Sequence, residues 1–164
     1  MILDQKGKLS VAQALTAGST DSTNVIQMVA ADYAGLTDLW LTVDTNVAAG
    51  GSGTIKIALV ISTEAALTTT VEVCSVLCAA VTDLRVATAG RHIIAANIGK
   101  MLKEIMETTG DTYYFVGLIY TLGSSATLTA DAVLSPSEPQ TIHHKMVTES
   151  NVALPTVASV ASGE

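Results

Sequence analysis

The stretch "GTIKIALVIS" at 53–62 alternates strictly: Ile55, Ile57, Leu59 and Ile61 fall on one side, with Thr54, Lys56 and Ala58 on the other. Successive side chains of an extended chain point to opposite faces, so this spacing predicts a strand with one buried and one outer face. The same rhythm recurs. In "DLWLTVDT", Leu39, Leu41 and Val43 alternate with Trp40, Thr42 and Asp44, while "NVIQM" at 24–28 and "RHIIAAN" at 91–97 read as shorter strands. "TTTVEVCSVLCAA" is apolar on both sides after Ser75, as a central or twice-covered strand would be. Near the end, "TYYFVGLIYTL" and "ATLTADAVL" alternate on either side of "GSS", which predicts a hairpin.

With the N-terminal segment included, about eight strands separated by Gly, Ser, Asn and Asp clusters predict an all-β, antiparallel two-sheet sandwich. No Cys…Trp…Cys pattern marks an immunoglobulin-like topology, so the expectation is jelly-roll-like. One segment breaks the rhythm. "GKMLKEIMETTG" brings Met101, Leu102, Ile105 and Met106 to one side of a short helical insertion at 100–109, bounded by Gly99 and Gly110. Two readings are open: the stripe caps the open end of the sandwich, or Met101, Ile105 and Met106 offer a contact surface to a partner.

All three prolines, Pro136, Pro139 and Pro155, fall after residue 134, where sustained periodicity ends. The chain therefore divides into an N-terminal segment at 1–23, a sandwich domain at 24–134 and a Pro-containing arm or tail at 135–164. The N-terminal segment is ambiguous on its own. In "SVAQALTA", Ser10 and Gln13 have the spacing of a capping box. Leu9, Val11, Gln13 and Leu15 equally fit an extended arm, and the roughly seven residues before Gly18 are too few for an unsupported helix.

Charge narrows the partners. Lys and Arg number 8 against 15 Asp and Glu, a net charge of −7, and charged residues are only 14% of the chain, against about 25% in an average soluble domain. A surface that neutral suits either a subunit hidden by its neighbours or a Thr-rich β protein. No cluster of basic residues appears, so nucleic acid is not an expected partner. The longest apolar runs, such as "IALVI" and "VLCAAV", fall far short of the roughly 18 residues of a membrane helix, so no membrane is expected either. The first ten residues carry Asp4, Lys6 and Lys8 and no apolar core of a signal peptide, which points to a product made in a cytoplasm.

Catalytic patterns find little support. On a strand, Cys74 and Cys78 would share a face about 13 Å apart, too far to bridge, and read as small buried apolar residues. His92, His143 and His144 lack the spacing of a metal motif. Gly50, Gly51 and Gly53 precede a strand and not a helix, so they do not form a phosphate loop. Asp44, Glu64, Glu72, Asp83, Glu104 and Asp111 are scattered. No enzyme, metal or cofactor is therefore expected. A carbohydrate-binding sandwich is the alternative, weakened by the scarcity of aromatic rings on which sugars stack: Trp40, Phe115 and four tyrosines.

Two stretches carry a resemblance. "MILDQKGKLSVAQALT", followed by Ser/Thr residues and "STNVIQM", and later "YYFVGLIYTLGSSATLTADAVL", resemble the phage capsid cement, or decoration, proteins of the type first named in a Bordetella podophage. The likeness spans roughly residues 1 to 134 and is specific at its two ends, with only strand order in common between them. It implies a jelly roll on the outer surface of an HK97-like capsid, made in the host cytoplasm. There it would form homo-oligomers, with a dimer favoured, and bridge neighbouring copies of the major capsid protein. It also favours the extended reading of the N-terminal segment, with Leu9, Val11 and Leu15 as candidate contacts. On that reading, deleting residues 1 to 17 weakens partner binding more than it disturbs the fold. The helical insertion and the 30-residue tail depart from the family pattern.

Overall fold

The computed structural model describes residues 7–29, 39–46, 53–78, 91–109, 113–124, 126–136, 138–140, 142, 144–145 and 147–148. In chain order these hold β1 (Lys8–Leu15), β2 (Gly18–Asp21), β3 (Ile26–Val29), β4 (Trp40–Asn46), β5 (Ile55–Ser62), β6 (Val71–Cys78) and β7 (Arg91–Asn97). Helix α1 (Gly99–Thr109) follows, then β8 (Tyr113–Leu122), β9 (Leu128–Ser135), β10 (His144–Lys145) and β11 (Val147–Thr148). One sheet has the order β1-β9-β4-β7-β10, the other β11-β6-β5-β8-β2, with β3 pairing a different part of β8. All pairings are antiparallel except β10 on β7.

The pairings nest. β5 pairs β6, β4 pairs β7, β2 and β3 pair β8, and β1 pairs β9. Each successive pair lies in the other sheet, as though one long hairpin had been rolled up around its own core. With β2 and β3 taken as one interrupted strand, this is the jelly-roll connectivity. The inward rows meet in one apolar cluster that includes Leu41, Val43, Ile57, Leu59, Val116, Leu118 and Leu134. The side chains that alternate in the sequence are the ones that fill it, because a period of two places every second residue on the same face.

The hairpin expected at "GSS" is not formed. β8 pairs β5, β2 and β3 in one sheet, whereas β9 pairs β1 and β4 in the other. The connection is tied down instead of folding flat. Gly123 N–H donates to Thr54 O at 2.8 Å, and a side chain at Gly123 would come within 2.7 Å of Thr54 Oγ1. Alternation is the same for two strands that pair and two that face each other across a core, so local pattern does not separate the cases.

The N-terminal segment is extended as expected, but it is part of the sandwich rather than an arm beside it. Leu9 and Leu15 of β1 are 0% and 1% exposed and lie in the central cluster. Their selection as partner contacts, and the boundary drawn at residue 23, are corrected accordingly: an apolar side chain already removed from water has no further surface to offer. Gly18, with φ +117, stands where the chain leaves β1 for β2 and changes sheets.

A second difference concerns β5. Ala58 and Val60 lie on its outer side yet are 5% and 2% exposed, packed with Leu67, Val25, Phe115 and Ile119 in a smaller cluster. β5, and not β6, is thus covered on both faces. Gly117 makes room for this. A Cβ there would stand 2.6 Å from Leu67 Cδ1, so Leu67 reaches the sheet only because residue 117 has no side chain.

Helix α1 begins where β7 ends. Ile98 and Gly99 both donate main-chain N–H groups to Leu39 O, at 2.7 and 3.2 Å. Leu102 is fully buried and Met101 and Ile105 are packed, partly buried, against the central cluster. Most of the described stripe therefore turns inward.

Candidate functional site

The margin where β1 meets β9 and β2 meets β8 brings the first strands of the chain against two strands from near the end of the sandwich. Ser10 Oγ lies 2.9 Å from Tyr120 Oη across a sequence separation of 110 residues. Ser10 also donates to Gln13 Oε1 at 2.7 Å, so the residues with capping-box spacing do meet, but side chain to side chain within a strand. Gln13 Oε1 further accepts from Thr23 N–H at 3.0 Å, and its amide nitrogen donates to Asp21 O at 2.8 Å. One glutamine side chain thus fastens β1 to the corner that follows it. Asn24 closes the far side, donating its main-chain N–H to Leu9 O at 2.8 Å and its side-chain amide to Lys8 O at 3.2 Å.

Outside this margin the first sheet has a shallow depression of about 270 Å³, lined by Lys8, Ser10, Thr42, Asp44, Asp131, Ala132 and Val133. Its location follows from the register. Asp44 stands directly across from Asp131 and Thr42 across from Val133, on the outer side of β4 and β9. β1 shifts register twice beside them, between Lys8 and Ser10 and between Ser10 and Gln13, which opens the surface at that edge. Trp40, one step along at Ser135, is half-buried.

The outer side of the second sheet is more apolar. Phe115 and Ile119 are half-buried there, and the charged groups on β5 and β6 are one ion pair, Lys56 Nζ to Glu72 Oε2 at 2.6 Å. Its two side chains are 38% and 15% exposed.

The sequence-derived contact residues are thus divided. Val11, 52% exposed on β1, is at the surface. Leu9 and Leu15 are core, Met101 and Ile105 rest on the core, and Met106 belongs to the last part of α1. Asp131 and Ser22 were missed. Asp131 accepts the Ala12 N–H at 2.8 Å; its outward place in the alternation of β9 was legible, its partner was not. Ser22 bridges the break between β2 and β3, donating its N–H to Leu118 O at 2.8 Å and accepting Leu118 N–H on Oγ at 3.0 Å. Nothing in "TDSTN" signals that role.

For chemistry the described interior offers two cysteine thiols and the phenol of Tyr120. Cys74 and Cys78 are both buried and not joined in a disulfide. Burial, with a smaller push from the charge of Glu72, raises the Cys74 thiol to about 12, which keeps it a thiol and a poor nucleophile at neutral pH. Burial likewise raises Tyr120 to about 12; its bond to Ser10 opposes the rise and the charge of Asp131 adds to it. Among the described residues no group of three or more His, Cys, Asp or Glu side chains comes together to hold a metal ion. His92 pairs across from Thr45 and His144 lies in β10, while His143 is outside the described residues. No described helix is long and apolar enough to cross a membrane. Comparison with protein-family models finds no match, and comparison with curated proteins finds none either.

Proposed function

We propose that this chain is a virion structural protein: a cement, or decoration, subunit that binds the outer surface of an HK97-like phage capsid and bridges neighbouring copies of its major capsid protein. It works as a homo-oligomer, with a dimer favoured. The observation that carries this reading is the adjacency of its two family-like stretches. They come from opposite ends of the sandwich sequence, with Ser10 and Tyr120 in contact across 110 residues, and they supply the paired strands β1 and β9 and the neighbouring pair β2 and β8. The low charge of the chain, 14% of residues, supports it as well, because a subunit flanked by others needs less charged surface than one alone in water.

The mechanism is adhesion. A protein that binds the assembled lattice and not the separated subunits stabilises the lattice by mass action, by about 2.7 kcal/mol per site at a hundred times its dissociation constant. Specific interfaces bury about 1,200–2,000 Å², and sheet faces supply such area without any catalytic group. The test is to add the purified chain to expanded capsids lacking it. Saturable binding with a raised disruption temperature is the expected result; no binding would sink the proposal. Binding to a glycan array, lost on Trp40→Ala and unaccompanied by capsid binding, would instead establish the carbohydrate-binding alternative.

A further inference from the structure

On the β1 side, each sheet ends in a strand to which another strand could add. A regular edge with an exposed apolar side chain is a template for strand addition by another molecule. β1 has the side chain: Val11 is 52% exposed, one of two large apolar residues so exposed among those described. It lacks the regularity. Ala12, next in the chain, has φ +44, a backbone state that few residues other than glycine hold. Its N–H turns to the Asp131 carboxylate, Oδ1 at 2.8 Å. Two residues of β1 go unmatched on β9 across the two register shifts, and such bulges bend and twist the strand that carries them.

The other edge on this side is broken too. β2 and β3 meet β8 on either side of Ser22–Val25, and Ser22 takes up both main-chain groups of Leu118. Each interruption is held by a polar side chain placed for it.

We propose that the Ala12 bulge, held by Asp131, is a guard: it keeps β1 from accepting a strand of a second copy, so that this chain meets other molecules through its sheet faces and not along this edge. Asp131 lies exposed on the outer side of β9, directly across from Asp44, so its bond to Ala12 is not a consequence of core packing. Its bond to Ala12 N–H offsets the cost of the left-handed backbone. Without that bond, β1 relaxes towards a straighter edge with Val11 displayed along it. The inference stands independently of capsid binding, and a closed face-to-face oligomer is compatible with it.

Sedimentation velocity over a wide concentration range, with circular dichroism to confirm folding, tests it. Asp131→Ala is expected to self-associate through the freed β1 edge, starting at about tenfold lower concentration than the natural chain, the effect of losing one hydrogen bond to a charged group. Asp131→Asn keeps an oxygen acceptor at the same place and is expected to match the natural chain. Adding Ala12→Gly to Asp131→Ala is expected to restore the natural behaviour, because glycine holds a positive φ unaided. Ala12→Val, which strains the bulge from the other side, is the second variant should Asp131→Ala lose its fold. If the variants that fold associate no more than the natural chain, or if Ala12→Gly fails to rescue Asp131→Ala, the guard is overturned.

Discussion

The two sides of the sandwich are closed in unlike ways. On one, β1 pairs β9 over its length, buries Leu9 and Leu15, and is fastened by Ser10, Gln13 and Asn24. On the other, β10 and β11 are two residues each: His144 and Lys145 lie along β7, then Val147 and Thr148 along β6. The first side combines apolar burial with satisfied polar groups; what is described of the second is its main-chain pairing. The early segment of the chain is therefore part of the core.

The largest expected effect breaks the comparison outright. Deleting residues 1–17 removes an edge strand together with two core side chains, and should abolish cooperative thermal unfolding by circular dichroism. Deleting residues 142–164 should leave a cooperative transition at a modestly lower temperature. This reverses the expectation, drawn from sequence, that loss of the first 17 residues would spare the fold. Next in size is a pair on one strand. Leu9→Ala should cost about 2–5 kcal/mol in urea unfolding, whereas Val11→Ala, two residues away at the surface, should stay within about 0.5 kcal/mol.

Smaller still is the polar fastening. Gln13→Ala strips partners from Ser10 Oγ, Thr23 N–H and Asp21 O at a largely solvent-accessible corner, and should cost about 1–2 kcal/mol by the same measurement. A further effect, confined to one pH window, comes from alkali. Cys74 and Tyr120 have usual values of 9.0 and 10.0, each raised to about 12 by burial. In that window the unfolded chain releases protons that the folded chain retains, so stability is intact below pH 9 and falls as pH rises towards 12. Tyr120→Phe should flatten the upper part of that decline in pH-dependent urea midpoints, at the cost of the bond to Ser10.

The strands and the helix were legible because their signal is local. Ile55 to Ile61 alternate, and Met101, Leu102 and Ile105 recur at helical spacing, whatever the rest of the chain does. The candidate site was much less so. Val11 could be named from its place in the segment, but the bulge beside it, and the bond that Ala12 N–H there makes to Asp131, 119 residues away, could not. The inward side of β5 could be read, yet its outer side is buried only because Leu67 folds back over Gly117.

What the sequence determined by itself was the class: antiparallel strands with an inward apolar row, and a short helical insertion among them. Those follow from period and composition, which need no knowledge of contacts. Only the tertiary structure decided which strands share a sheet. It separated β8 from β9, joined β1 to β9, and made Leu9 and Leu15 core while leaving Val11 outside. The physical reason is that one buried face satisfies a strand equally well beside a neighbour or across a core. Pairing is settled by how all the apolar rows can be covered at once.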